Sequence, residues 1–193
     1  LIRRQRQMCI RDSQVSAHVN NNLSEGGPMS VHAEEVFREG FEKAGFDILG
    51  IEVSEFKGKK TSGIEGKERP NLDFVVEKDG VVYGIDVKNW IKYEYETRDK
   101  VMRKVKAAKE LEIVPFIVAR YIDRELTNKI IYEYDGLVYE YKYLIFPSTL
   151  RSLAEDAEKV LGYPVLVVDE LPQDMIERIK DSHERYLRKR GIK

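Results

Sequence analysis

Asp73, Asp86 and Lys88 are the residues whose types and spacing could do chemistry in this chain. Asp79-Gly80 separates two β-rich runs, Asp73 to Glu77 and Val81 to Val87. An Asp-Gly pair in that setting predicts a hairpin with a two-residue loop. Such a loop sets Glu77 opposite Val82, Val75 opposite Gly84 and Asp73 opposite Asp86. Two carboxylates then meet across the ladder with Cβ atoms about 5 Å apart. Lys88 is two residues past Asp86, so it leaves the sheet on the same side. At an effective dielectric near 20 the repulsion between the carboxylates is about 3 kcal/mol. A folded chain keeps such an arrangement only with a counter-charge. Lys88 supplies part of it, and a divalent cation would supply more.

Counting narrows the choice of cation. The chain has one cysteine and three histidines in 193 residues, too few for a Cys/His zinc site. A metal here would be held by carboxylates, which suits Mg2+ or Mn2+. The single cysteine also excludes a disulfide scaffold and points to a reducing, cytoplasmic setting. No run approaches the roughly 18 apolar residues of a membrane span, so no membrane partner is expected. Hydrophobic residues make up 42% of the chain and charged ones 35%, enough for one sizeable core under a charged surface. The net charge of −1 excludes a histone-like basic protein.

Residues 1–29 differ in character from the rest. They hold Arg3, Arg4, Arg6 and Arg11, then a polar run from Asn20 to Pro28, with no starting Met. The string from Arg3 to Asp12 resembles translated sequencing-adapter read-through. The segment is read as a disordered, non-native tail, set beside the alternative of a basic arm touching nucleic acid. Residues 30–193 are read as a single domain.

Within that domain, Ser30 is expected to cap a helix from Val31 to Ala44, with Ala33, Val36, Phe37, Gly40 and Phe41 on one face. A strand from Asp47 to Val53 and a polar Gly/Lys-rich loop from Glu55 to Arg69 follow. After the hairpin, Thr97 opens a helix to about Leu111, with Val101, Val105, Ala108 and Leu111 facing inward. A buried strand runs from Val114 to Ala119. Leu126 to Tyr134 reads equally as a short helix or a hairpin arm. Tyr141 to Phe146 is a strand, Ser148 or Thr149 caps a helix to Leu161, Pro164 to Asp169 is a strand, and a charged helix from Asp174 to Arg190 closes the chain. This alternation implies an α/β fold, a three-layer α/β/α sandwich around a central mixed sheet. The tyrosines Tyr132, Tyr134, Tyr139, Tyr141 and Tyr143 are expected to pack in the core and on sheet faces rather than stack on bases.

The segment Pro70-Asn71-Leu72-Asp73 followed by Asp86-Val87-Lys88 resembles the PD-(D/E)XK nuclease superfamily. The run from Ala33 to Phe37, with Lys43-Ala44-Gly45-Phe46 after it, is similar to the first helix of archaeal Holliday-junction resolvases and restriction-type (type IV-like) endonucleases. The similarity spans roughly residues 31–120. In that pattern an acidic residue lies eleven positions before the Gly-Phe pair, which selects Glu34 over Glu35. Two residues separate Pro70 from Asp73, so only the Asp carries over, and position 86 holds Asp where the resolvases usually carry Glu.

The resemblance implies a restriction-endonuclease-like fold and Mg2+- or Mn2+-dependent hydrolysis of DNA phosphodiesters, restriction-like or junction-resolving, in a homodimer. It implies Asp73, Asp86 and the Val87 carbonyl as metal ligands, with Glu34 ligating directly or through water. Lys88 would orient the attacking water or stabilise developing charge. Two other readings stand beside it: a non-cleaving nucleic-acid-binding module on the same fold, and an α/β protein-interaction domain.

Two basic surfaces bear on DNA. Lys57, Lys59, Lys60, Lys67 and Arg69, with Thr61 and Ser62 as hydroxyl donors, form a candidate clamp loop before Asp73. Lys100, Arg103 and Lys104 lie outside the apolar stripe of their helix. They read equally as an exposed helix face or as a phosphate-contacting one.

Overall fold

The computed structural model describes residues 2–24, 26–63, 69–91 and 95–192. Among them the chain builds a central mixed five-stranded sheet flanked by helices, consistent with the expected sandwich. The sheet strands are β1 (Asp47–Val53), β4 (Leu72–Lys78), β5 (Val81–Lys88), β6 (Val114–Arg120) and β7 (Leu137–Tyr141), and they lie side by side in chain order. The first three are antiparallel neighbours, and β5, β6 and β7 run parallel. A small hairpin, β2 (Glu55–Phe56) with β3 (Lys59–Lys60), branches off after β1.

Alternation along the strands divides the core. Phe74, Val76, Tyr83, Ile85, Phe116 and Val118 face helices α2 (Pro28–Lys43) and α6 (Gln173–Lys189). Ile117 and Ala119 face the other way, toward Val101 and Val105 of α3 (Tyr95–Glu110) and Leu126 and Ile130 of α4 (Arg124–Tyr132). The predicted stripe of α3 is therefore buried. Gly84 lets α3 approach closely, because a Cβ there would lie 3.3 Å from the Ala108 Cβ and 2.5 Å from Leu72 Cδ1.

The ambiguous segment is helical. The Asp123 carboxylate accepts from the Leu126 N–H at 2.8 Å and caps α4. Strand β7 ends at Tyr141, and β8 (Leu144–Phe146) leaves the main sheet to pair in parallel with β9 (Val165–Val167). Between β8 and β9 the chain forms a 3₁₀ turn, helix α5 (Arg151–Asp156) and one π turn, stopped by left-handed Gly162. Asn89, just past β5, fastens the small sheet to the large one. Its amide donates to Ile145 O at 2.9 Å and accepts from Ile145 N at 3.1 Å, as a neighbouring strand would. At the opposite end of the β4–β5 hairpin, buried His183 of α6 meets the Tyr83 hydroxyl at 2.7 Å and Asp79 at 3.1 Å.

Four expectations need correction. Within the segment expected to be disordered, Ile2–Leu23 form helix α1, with Val15 and Val19 buried beside Leu144, Leu153 and Ala157. The stripe Val15, Val19, Leu23 has helical spacing, and the polar residues between hid it. Helix α2 starts three residues early. Gly27 stands at its N-cap and Pro28 opens it, while the Ser30 hydroxyl donates to Leu23 O at 3.0 Å. The predicted strand from Tyr141 to Phe146 is broken at Lys142 and Tyr143, where the chain changes sheets. The tyrosines divide: Tyr139 and Tyr141 are buried, whereas Tyr132 and Tyr143 are exposed. Among the described residues no helix is long and apolar enough to cross a membrane.

Candidate metal and phosphodiester site

The β4–β5 turn has the predicted geometry. Asp79 and Gly80 both have positive φ, 50° and 76°, as a two-residue primed turn requires. The ladder pairs Glu77 with Val82, Val75 with Gly84 and Phe74 with Ile85. One step further along that register lie Asp73 and Asp86. Their side chains converge with Lys88 between α3 and the sheet end.

Asp86 is wholly buried, and its Oδ1 receives the Lys88 ammonium at 2.6 Å. Its Oδ2 is buried and has no hydrogen-bond partner. Asp73 accepts from the Val87 N–H at 2.6 Å, which fixes its carboxylate across the hairpin mouth. The Lys88 ammonium also donates to Val87 O at 3.1 Å.

Lys104 is a fourth member that sequence reasoning placed elsewhere. Its ammonium lies 3.6 Å from Asp86 Oδ1 and 3.8 Å from Asp73 Oδ1, and donates to Asn71 O at 2.6 Å. Its side chain is only 17% exposed. The expected exposed placement of Lys104 on the outer face of its helix is therefore corrected: it turns inward, because Asn71 and the two carboxylates lie under its helix turn. Helical spacing showed only that it left the apolar stripe, and a long side chain at a stripe's edge can reach a buried charge.

Glu34 of α2 belongs to the same electrostatic cluster. Burial, with the charges of Asp73 and Asp86, pushes its carboxyl up to about 7, against the pull of Lys88 and Lys104. Glu35 points to solvent and lies 3.9 Å from Arg38. Burial also raises the Asp73 carboxyl. Asp86 adds to that, while Lys88, Lys104 and the Val87 N–H oppose it. Burial works against the charged form of Lys88, but Asp86, Asp73 and Glu34 outweigh it and hold the ammonium above its ordinary pKa.

The Glu34 shift has a consequence for stability. A carboxyl whose folded pKa lies above its unfolded one favours folding below about pH 4.5, and that contribution is lost as pH rises through about 7. Glu34→Gln should therefore melt with the wild type at pH 4.5 and above it at pH 8. Parallel thermal melts check this, and equal melting temperatures at pH 8 would show that Glu34 is solvated.

Among the described residues no group of three His, Cys, Asp or Glu side chains is gathered closely enough to grip a metal by itself. The donor set still suits a hard cation. Mg2+ commonly takes one or two carboxylates and completes its shell with water and substrate phosphate. Asp86 Oδ2 is a bare, buried oxygen of the required kind.

The proposed clamp loop fares less well. Thr61 is 2% exposed and its hydroxyl donates to Ser54 O at 3.3 Å, so it is no phosphate donor. Its burial follows from the β2–β3 hairpin, which folds the chain back on Ser54. Ser62 is exposed, with its N–H held by Glu110 at 2.6 Å. Lys59 pairs with Glu112 and Lys60 with Glu55, the latter at 3.0 Å. Lys57 and Arg69 are exposed, as are Lys100 and Arg103 on α3. Lys67 lies outside the described residues.

Sequence reasoning also missed Arg120. It is fully buried at the end of β6, donating to Trp90 O and Ile91 O at 2.8 Å each and to Lys142 O at 3.1 Å. It thereby ties down the chain that leaves Lys88. Burial lowers its pKa against the opposing pull of Tyr121, Tyr141 and Tyr163.

No family model, curated protein or solved structure matches this chain.

Proposed function

We propose that this chain is a Mg2+-dependent DNA endonuclease of the PD-(D/E)XK type, restriction-like or junction-resolving, on a restriction-endonuclease-like fold. The observation that carries the reading is the convergence of Asp73, Asp86 and Lys88 at one hairpin mouth, with one Asp86 oxygen bare and buried. Asp73, Asp86 and the Val87 carbonyl would hold the cation, with Glu34 directly or through water. The cation would supply an activated water and neutralise phosphate charge.

The protein's own residues carry the rest. The Val87 N–H orients Asp73. Asp86 holds the Lys88 ammonium, which would orient the attacking water or stabilise charge developing at the phosphate. Lys100 and Arg103 offer phosphate contacts on the flank of α3.

A non-cleaving DNA-binding module on the same fold is the second reading. It draws support from the two lysines already countering the carboxylates. Incubation with supercoiled, linear and four-way-junction DNA in Mg2+, and again in EDTA, separates the two. Metal-dependent nicking or cutting is expected. Binding without strand breaks in either Mg2+ or Mn2+ would overturn the enzyme reading.

A further inference from the structure

We propose that Lys104 is a placeholder for the cation: in the free protein its ammonium compensates Asp73 and Asp86, and it yields to a divalent ion when a phosphodiester arrives to receive it. The inference rests on the proposed metal site and goes beyond it, because it couples cation binding to substrate binding.

The argument is one of charge and placement. Asp73 and Asp86 carry two negative charges, and Lys88 and Lys104 return two positive ones within one buried cluster. A divalent ion entering this balanced site meets two nearby ammoniums, and the low dielectric magnifies that repulsion. Binding to the free protein is therefore weak. The two lysines differ in how they can respond. Lys88 is bound to Asp86 Oδ1 at 2.6 Å and leaves the same strand, so it stays. Lys104 stands back at 3.6 and 3.8 Å from the carboxylates and leaves a neighbouring helix. Its closest tie is the neutral Asn71 carbonyl. Lys100 and Arg103 lie one turn or less away on the same flank of α3 and are exposed. A phosphate drawn to that flank gives the Lys104 ammonium an anionic partner and restores charge balance once the cation has entered. By linkage, each ligand then tightens the other.

The test is calorimetric titration of the full chain with Mn2+, alone and with a short phosphorothioate-substituted duplex. Lys104→Met, which keeps the aliphatic stem, should tighten Mn2+ binding to the free protein about 5- to 150-fold and shrink the further gain from duplex, while Lys104→Arg stays within about twofold of wild type. A merely structural Lys104 would alter the melting temperature but not the effect of duplex on Mn2+ affinity. Wild-type Mn2+ binding that is unchanged or weakened in Lys104→Met would overturn the placeholder alone and leave the metal site standing. Absence of Mn2+ binding in both proteins, with and without duplex, would overturn the placeholder and the proposed metal site together.

Discussion

Asp86→Ala and Lys88→Ala should each lower Mg2+-dependent strand cleavage by about 10² to 10³-fold, the scale of removing one preorganised charge from a buried site. The two losses have different origins. Asp86 presents the bare oxygen on which a cation would sit, so its loss weakens metal dependence itself. In the proposed reaction Lys88 would act on charge that develops only as the bond breaks, so its loss should fall on kcat and leave KM nearly unchanged. Melting each variant separates lost chemistry from lost folding, because Lys88→Ala removes the 2.6 Å counter-charge of the wholly buried Asp86. Asp86→Ala removes a buried carboxylate that repels Asp73, and the Asp73 carboxyl should return toward its ordinary range without it. Steady-state nicking of supercoiled plasmid, with circular dichroism melts of the same samples, measures both. Nicking at the wild-type rate in either variant would remove that residue from the chemistry.

The largest expected effect on stability belongs to Arg120→Met. Three backbone carbonyls, of Trp90, Ile91 and Lys142, lose a donor whose own side chain is fully buried. Each buried acceptor left alone costs roughly 1–3 kcal/mol, so the total is about 4 kcal/mol after partial relaxation. For a chain of this size that lowers the melting temperature by about 8–16 °C. Arg120→Lys should recover only part of the loss, because a point charge cannot span three carbonyls as a planar fork does. Because Trp90 and Ile91 directly follow the strand that carries Lys88, Arg120→Met should also reduce cleavage below its melting point. A thermal melt within 2 °C of wild type would show that water replaces the guanidinium at no cost.

The parts of the site that were legible in the sequence share one property: their geometry is local. Asp79-Gly80 fixes a two-residue turn, and the turn fixes the register that sets Asp73 beside Asp86. The stripe of α3 was legible for the same reason, since Val101, Val105 and Ala108 repeat at helical spacing. Glu34 needed more, a family pattern that chose it over its neighbour. The residues that were missed depend on distant parts of the chain. Lys104 has the spacing of a surface lysine, and only the position of Asn71 and the hairpin mouth draws it in. Arg120 ends an apolar strand, where a charge normally marks the exit to solvent. Its burial comes from β8 leaving the main sheet and from the segment past Asn89 folding over it. Thr61 reads as a loop hydroxyl until the β2–β3 hairpin buries it. Asn89 was not singled out in the sequence, yet it serves as a rung between two sheets.

The central claim is that the β4–β5 hairpin mouth is a cation site, and anomalous diffraction from Mn2+-soaked crystals of the complex with a short phosphorothioate-substituted duplex tests it most directly. The account predicts an ion bound by Asp86 Oδ2 and an Asp73 oxygen at about 2.1–2.2 Å, with the Lys104 ammonium moved away. Mn2+ found only elsewhere on the protein, with Lys88 and Lys104 still seated on both carboxylates, would contradict it.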